Sequence, residues 1–197
     1  MRPDHHRASR AVSAAGPLGS GVGTVGGWVI EVQPRLAGVR RRDYVLRSDW
    51  AVQAPRPLVW DVLADPTMTW PRWWPGLRAQ DVVPAPGALV GSTAVLVMRA
   101  PWGYTLRIGL RVEEAEPGAR VLTRVTGDLE GTGRIAVADL PGAGTHIHVD
   151  WRVTTVPAWM NLTAPLLAPA FAAAHGRVMA AGERGLRGYL DADRASG

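Results

Sequence analysis

The order of local signals predicts an α+β fold: one strand, two short helices, six further strands and one long C-terminal helix. Three observations carry this expectation. Between residues 77 and 155, apolar and β-branched runs are separated only by short turn signals: Pro86-Gly87, Pro101-Trp-Gly103, Pro117-Gly118 and Pro141-Gly-Ala-Gly144. Connections this short join antiparallel neighbours, because a parallel crossover needs a dozen residues or more. Near the C-terminus Leu162, Leu166, Phe171, Val178, Gly182, Leu186 and Tyr189 recur every three to seven residues, broadly a helical stripe. Pro55 opens a short segment in which Leu58, Val59, Val62 and Leu63 also fall at helical spacing.

In order, Tyr44, Leu46, Ser48, Trp50 and Val52 alternate with Val45, Arg47, Asp49 and Ala51, the period of a half-buried strand. The helix Arg56–Ala64 is closed by Asp65-Pro66. A tryptophan-rich piece, Thr67–Trp74, reads as the second short helix and ends at Pro75-Gly76. Strands are expected at Leu77–Val83, Ser92–Arg99, Tyr104–Glu114, Val121–Gly127, Gly131–Asp139 and Thr145–Thr155. The last helix runs from Met160 or Pro165 to Leu190. Gly182, Gly185 and Gly188 weaken it, and close approach to a sheet would explain them.

At 197 residues, 47% hydrophobic and 20% charged, the chain has the composition of one globular domain. It has no cysteine, which excludes disulfides, thiolate nucleophiles and cysteine-held metals. All 22 basic residues are arginine, so a phosphate-cradling lysine and Schiff-base chemistry are excluded too. A chain rich in arginine, alanine and glycine points to a GC-rich bacterial genome. The formal charge of +5 is unevenly placed. Residues 1–42 hold seven arginines and two acids, whereas 43–197 hold fifteen of each.

Residues 1–42, glycine-rich in the middle, are expected to be a flexible basic extension. The domain is expected over 43–192, and 193–197 form a short tail. The uncharged run Ala11–Ile30 holds six glycines and one leucine, too weak for a signal sequence or membrane span, so a cytoplasmic protein is expected. Gly21-Val-Gly-Thr-Val-Gly26 matches a dinucleotide-binding spacing but lacks the flanking strand and helix signals. A neutral domain lacks the footprint for nucleic acid, which Arg40-Arg-Arg42 alone cannot supply.

Trp70, Trp73 and Trp74, framed by Pro71 and Pro75, are either an aromatic wall where a ligand enters or a cluster pinning the short helices. His146, His148 and Asp150 share one strand face. The opposite face carries Ile147, Val149, Trp151 and Val153, so the polar trio, with Arg152, is expected in solvent and no metal is assigned. His175 falls on one helical flank with Phe171 and Met179, either as a general acid/base or as a histidine satisfied in the core. Arg134 is a candidate polar anchor. Asp128 and Glu130, beside Gly127 and Gly131, read as a solvated turn.

Four stretches resemble the polyketide cyclase/dehydrase-like proteins of the START-related (SRPBCC) superfamily. They are Trp50-Ala-Val-Gln-Ala-Pro-Arg-Pro-Leu-Val-Trp-Asp-Val-Leu-Ala-Asp65, Trp70-Pro-Arg-Trp-Trp-Pro-Gly76, Thr145–Thr155 and His175-Gly-Arg-Val-Met-Ala-Ala-Gly-Glu-Arg-Gly-Leu186. The resemblance implies a helix-grip fold, a curved antiparallel sheet of about seven strands around the long C-terminal helix. It implies a cavity for a hydrophobic or aromatic small molecule, and no cofactor. Nine tryptophans against one phenylalanine suit such a cavity. The candidate ligand-binding residues are Trp70, Trp73, Trp74, Tyr104, Trp151, Phe171 and Met179, with His175 as the one candidate catalytic residue. Three functions stay open: a cyclase or dehydrase, a non-catalytic carrier or sensor of lipid-like ligands, and a protein-interaction module. A homodimer also stays open.

Overall fold

The structure, a computed structural model, describes residues 22–25, 28–33, 43–99 and 105–196, with side chains over 43–99, 105–157 and 173–195. Seven antiparallel strands form its main sheet: β3 (Asp43–Val52), β4 (Leu77–Val83), β5 (Thr93–Arg99), β6 (Thr105–Glu116), β7 (Arg120–Gly127), β8 (Leu129–Leu140) and β9 (Gly144–Thr155). Strands β4 to β9 form a meander, and β9 folds back beside β3. The order is β3-β9-β8-β7-β6-β5-β4, as antiparallel neighbours with short turns require. Shifts of register between Gln80 and Val83 and between Val112 and Glu114 interrupt β4 and β6, and such bulges bend a sheet.

Two further strands, β1 (Val22–Val25) and β2 (Trp28–Gln33), extend the sheet beyond β3. They fall in the segment read from sequence as a flexible extension. β2 pairs with β3 from Val29 opposite Arg47 to Gln33 opposite Asp43. Its run Trp-Val-Ile-Glu-Val-Gln is β-prone.

One short helix follows β3: α1 (Arg56–Leu63), with Pro57 in its first turn, where a missing N–H costs nothing. The second short helix expected there is only a three-residue 3-10 turn, Trp70–Arg72. Pro75 has no N–H to extend it and disfavours helical backbone at Trp74. The chain closes with α2 (Ala158–Ser196), longer than expected at both ends.

The strand period sorts the faces. Trp50, Val52, Ile147, Val149, Val153, Leu96, Leu110, Val125 and Val137 are buried on the inner face, together with Met179, Leu186 and Leu190 of α2. Helix α2 is tied to the end of β3 by Arg187, whose Nη2 and Nε donate to the Ala51 carbonyl at 2.7 and 2.9 Å. The Ala51 N–H in turn donates to Glu183 Oε1 at 3.2 Å.

The glycines of α2 have a different cause from the one expected. A Cβ on Gly185 would lie 1.7 Å from the carbonyl oxygen of Trp73, and one on Gly182 would lie 2.5 Å from the Trp74 ring. The close approach is to the tryptophan turn, not to the sheet. Nothing lies within 4 Å of a Cβ on Gly188.

Candidate functional site

A cleft opens between the inner face of β5–β9 and the stretch from α1 to the 3-10 turn. It is a cavity of about 60 Å³ that opens to solvent at its mouth. The floor is built from Ala94, Leu110, Val112, Val121, Ile135 and Trp151, and the opposite wall from Trp60, Leu63, Met68 and Trp70. An inner chamber adjoins it, sharing Leu63, Trp70, Ile135 and Trp151, and is completed by Trp50, Trp74, Ile147 and Val149. The cleft lies where alternation of β9 places its apolar side chains, the face opposite His146, His148 and Asp150.

The cover over the cleft is held by its own hydrogen bonds. Asp65 accepts from the Thr67 N–H at 2.8 Å and from the Thr67 hydroxyl at 2.7 and 2.8 Å. Burial pushes the Asp65 carboxyl up, but the hydrogen bonds of Thr67 and Thr69 outweigh it and leave its pKa below the usual value. Met68 has a left-handed φ of 56°, and its N–H donates to the Asp65 carbonyl at 3.0 Å. For a residue with a β-carbon that conformation costs about 1 kcal/mol. The turn around Asp65 holds it in place.

Ser92 and Thr123 along the cleft are similarly engaged. Ser92 Oγ accepts from the Ala85 N–H at 2.9 Å. Thr123 Oγ1 donates to the Gly133 carbonyl at 3.1 Å. Arg134 borders the cleft, yet its neighbours in β8, Gly133 and Ile135, face inward, so the strand period turns its exposed side chain to the other face, opposite Asp150.

The tryptophans divide into two groups. Trp70 and Trp151 line both spaces and Trp74 lines the inner one. Trp73 stacks on Trp74 with centroids 5.4 Å apart and, like Met179, is buried in the core without lining either space. Trp74 Nε1 donates to the Val178 carbonyl of α2 at 3.0 Å, which pins the turn to the helix.

His175 is buried, and loss of solvation lowers its pKa from 6.5 to about 4, so the ring is neutral at neutral pH. It is not among the residues lining the cleft or the chamber. Tyr104 and the side chain of Phe171 lie outside the described residues.

Sequence reasoning passed over Trp50, Trp60, Leu63, Met68 and Ile135 as lining residues. Trp50 and Leu63 were visible as members of apolar faces, but periodicity alone does not say which buried residue borders a space. On the outer face, Asp49 Oδ1 lies 3.0 Å from His146 Nε2 and 2.8 Å from His148 Nδ1. Asp150 pairs with Arg152 at 3.3 Å. Among the described residues no group of three His, Cys, Asp or Glu side chains is placed to hold a metal ion, and no helix is long and apolar enough to cross a membrane.

No protein-family model and no curated protein matches the chain. Solved structures do match. The Zhui aromatase/cyclase from Streptomyces sp. R1128 superposes with a TM-score of 0.62 at 17% identity, over 76% of this chain and 94% of that one. TTHA0849 from Thermus thermophilus gives 0.62 at 18% identity, over 76% and 98%. A START superfamily protein from Mycobacterium smegmatis gives 0.58 at 16% identity, over 75% and 97%. With its curved antiparallel sheet, short helix after the first strand of that sheet and long C-terminal helix, the chain has a helix-grip α+β fold, shared with these solved structures.

Proposed function

We propose that this protein binds a flat, largely apolar small molecule in the cleft between the α1 cover and the inner face of the sheet. One observation carries the proposal. The cleft is walled by aromatic and aliphatic side chains, while Asp65, Ser92 and Thr123 are engaged by their own chain. Such a site gains from apolar burial and offers little to a charged ligand. Burying about 200 Å² of ligand surface is worth on the order of 5 kcal/mol before the costs of association. Since about 5 kcal/mol corresponds to a Kd of about 0.2 mM before those costs, weak binding in the millimolar range follows for a ligand of two or three rings.

Carriage or sensing fits better than catalysis. A cyclase or dehydrase step would need a proton-transfer group facing the ligand with a pKa near neutrality. His175 is lowered to about 4 and does not line the cleft, and Asp65 is held as a carboxylate. The aromatase/cyclase among the structural neighbours therefore supports the choice of aromatic ligands more than the transfer of its reaction.

Thermal-shift measurements with two- and three-ring aromatic compounds, alongside fatty acids, test the proposal. Ring compounds are expected to stabilise the native protein but not a Val112→Trp variant, whose added indole occupies the cleft. Absence of any shift, together with no co-purified small molecule in native mass spectrometry, would overturn it.

A further inference from the structure

Gly133 stands in the middle of β8, where the strand itself has no need of a glycine. β8 pairs with β7 and β9 in unbroken register through this position, and the φ of Gly133 lies outside the left-handed region. A glycine inside a regular strand weakens it, and one of its uses is to let a ligand or another chain segment come close. What the missing side chain uncovers here is an indole. A Cβ on Gly133 would lie 3.6 Å from both Cδ2 and Cε2 of Trp151, the two carbons of the ring fusion. An approach in the plane of the ring would meet a rim atom first, so residue 133 looks onto the face of the indole. Gly133 and Trp151 both line the cleft, and Trp151 is only partly buried. Of the four tryptophans around the inner chamber, Trp50, Trp70 and Trp74 touch one another's rings. Trp151 takes part in no ring pair among the described residues.

We propose that the uncovered face of Trp151 is the platform on which the ligand's ring lies, and that Gly133 is the specificity-determining residue that keeps it open. This rests on the binding role given to the cleft above, and it narrows the ligand from flat apolar molecules to those with an electron-poor conjugated ring. The face of an indole is the negative part of its quadrupole. Another electron-rich ring meets that face best with its edge, whereas a ring drained of electrons by carbonyl, nitro or halogen substituents stacks on it flat. The cleft favours the flat arrangement. Its floor at Trp151 and its cover at Leu63, Met68 and Trp70 are opposite walls, so a ring lying flat meets them through its two faces. An alanine at 133 would set a methyl group over the fusion bond at contact distance and 3.0 Å from the Thr123 hydroxyl, and so would cover the platform.

The test compares hexafluorobenzene with benzene, rings of like shape and opposite quadrupole, by NMR titration of the full chain. Each Kd is corrected for the compound's octanol–water partition. Hexafluorobenzene is expected to bind about threefold more tightly or better, with fluorine–proton Overhauser contacts to the ring of Trp151. Gly133→Ala and Trp151→Leu are each expected to remove the preference. The Overhauser contacts, read in wild-type protein, decide the matter if a variant fails to fold. Equal affinities, a preference for benzene, a preference that survives Gly133→Ala, or contacts that bypass Trp151 would overturn the platform. Shifts of the Leu110 and Ile135 methyls would then still mark the cleft as the binding site. If neither compound shifts those methyls, the cleft's binding role fails and this inference fails with it.

Discussion

The two ends of the inner face solve opposite packing problems. Under α2, Gly182 and Gly185 bring the helix so close to Trp73 and Trp74 that a single β-carbon has no room. Under α1, the same sheet face meets a cover that leaves a small cleft open to solvent. The closed end is rigid through contact, with Trp74 hydrogen-bonded to α2 and Arg187 tying the helix to β3. The open end is held through local turns, with Asp65 fastening Thr67 and Met68. A protein that had only to be stable would fill both ends. The α1 side is the end proposed above to take a ligand.

Substitutions should separate the two ends. The largest effect is expected for Gly185→Ala, whose Cβ would meet a backbone carbonyl at 1.7 Å. Relief requires moving the turn, so a loss of about 3 kcal/mol or more is expected in urea unfolding. Gly188→Ala serves as its control. With open space around its Cβ, it should gain up to about 1 kcal/mol from helix propensity. A small effect of Gly185→Ala would mean that the closed end is not tightly packed.

Next in size is the acid response of the closed end. Burial holds His175 neutral in the folded protein, with a pKa of about 4 against 6.5 when unfolded. As pH falls below 6.5 the unfolded chain takes up a proton that the folded chain refuses, so stability declines until about pH 4. The loss from this group is about 2 to 3 kcal/mol between pH 6.5 and 4.5. His175→Gln should flatten that part of the stability profile. An unchanged slope would show that the imidazole is solvated in the native state.

Smaller effects are expected elsewhere. Val112→Trp in the open end should change stability by less than about 1.5 kcal/mol while abolishing ligand-induced stabilisation, because it fills space rather than displacing atoms. On the outer face, Asp49→Ala breaks exposed contacts to His146 and His148 and should cost no more than about 1 kcal/mol. Ligand binding should be untouched by it.

The same contrast marks what could be read from sequence. Alternation assigned the inner and outer faces of β9 correctly, because period two has one physical meaning when one side is buried. The meander followed from turn residues, and the C-terminal helix from its stripe. The β2 strand was obscured by the glycine-rich surroundings of Trp28–Gln33, although its own residues favour a strand. Close approach at Gly182 and Gly185 was expected to the sheet and is instead to the tryptophan turn, whose residues lie a hundred positions away in sequence. The tryptophan cluster was legible as a cluster. Its division into pinning and lining residues depends on how α1, the turn and α2 meet, which no local pattern encodes.

Side-chain methyl NMR during titration with naphthalene addresses the central claim most directly. Shifts are expected at Leu63, Leu110, Val112, Val121 and Ile135 of the open end, with Leu186 and Leu190 under α2 unmoved. Shifts confined to the exposed Val83 and Val90, or centred on α2 with the cleft methyls silent, would contradict the assignment of the α1 cleft as the binding site.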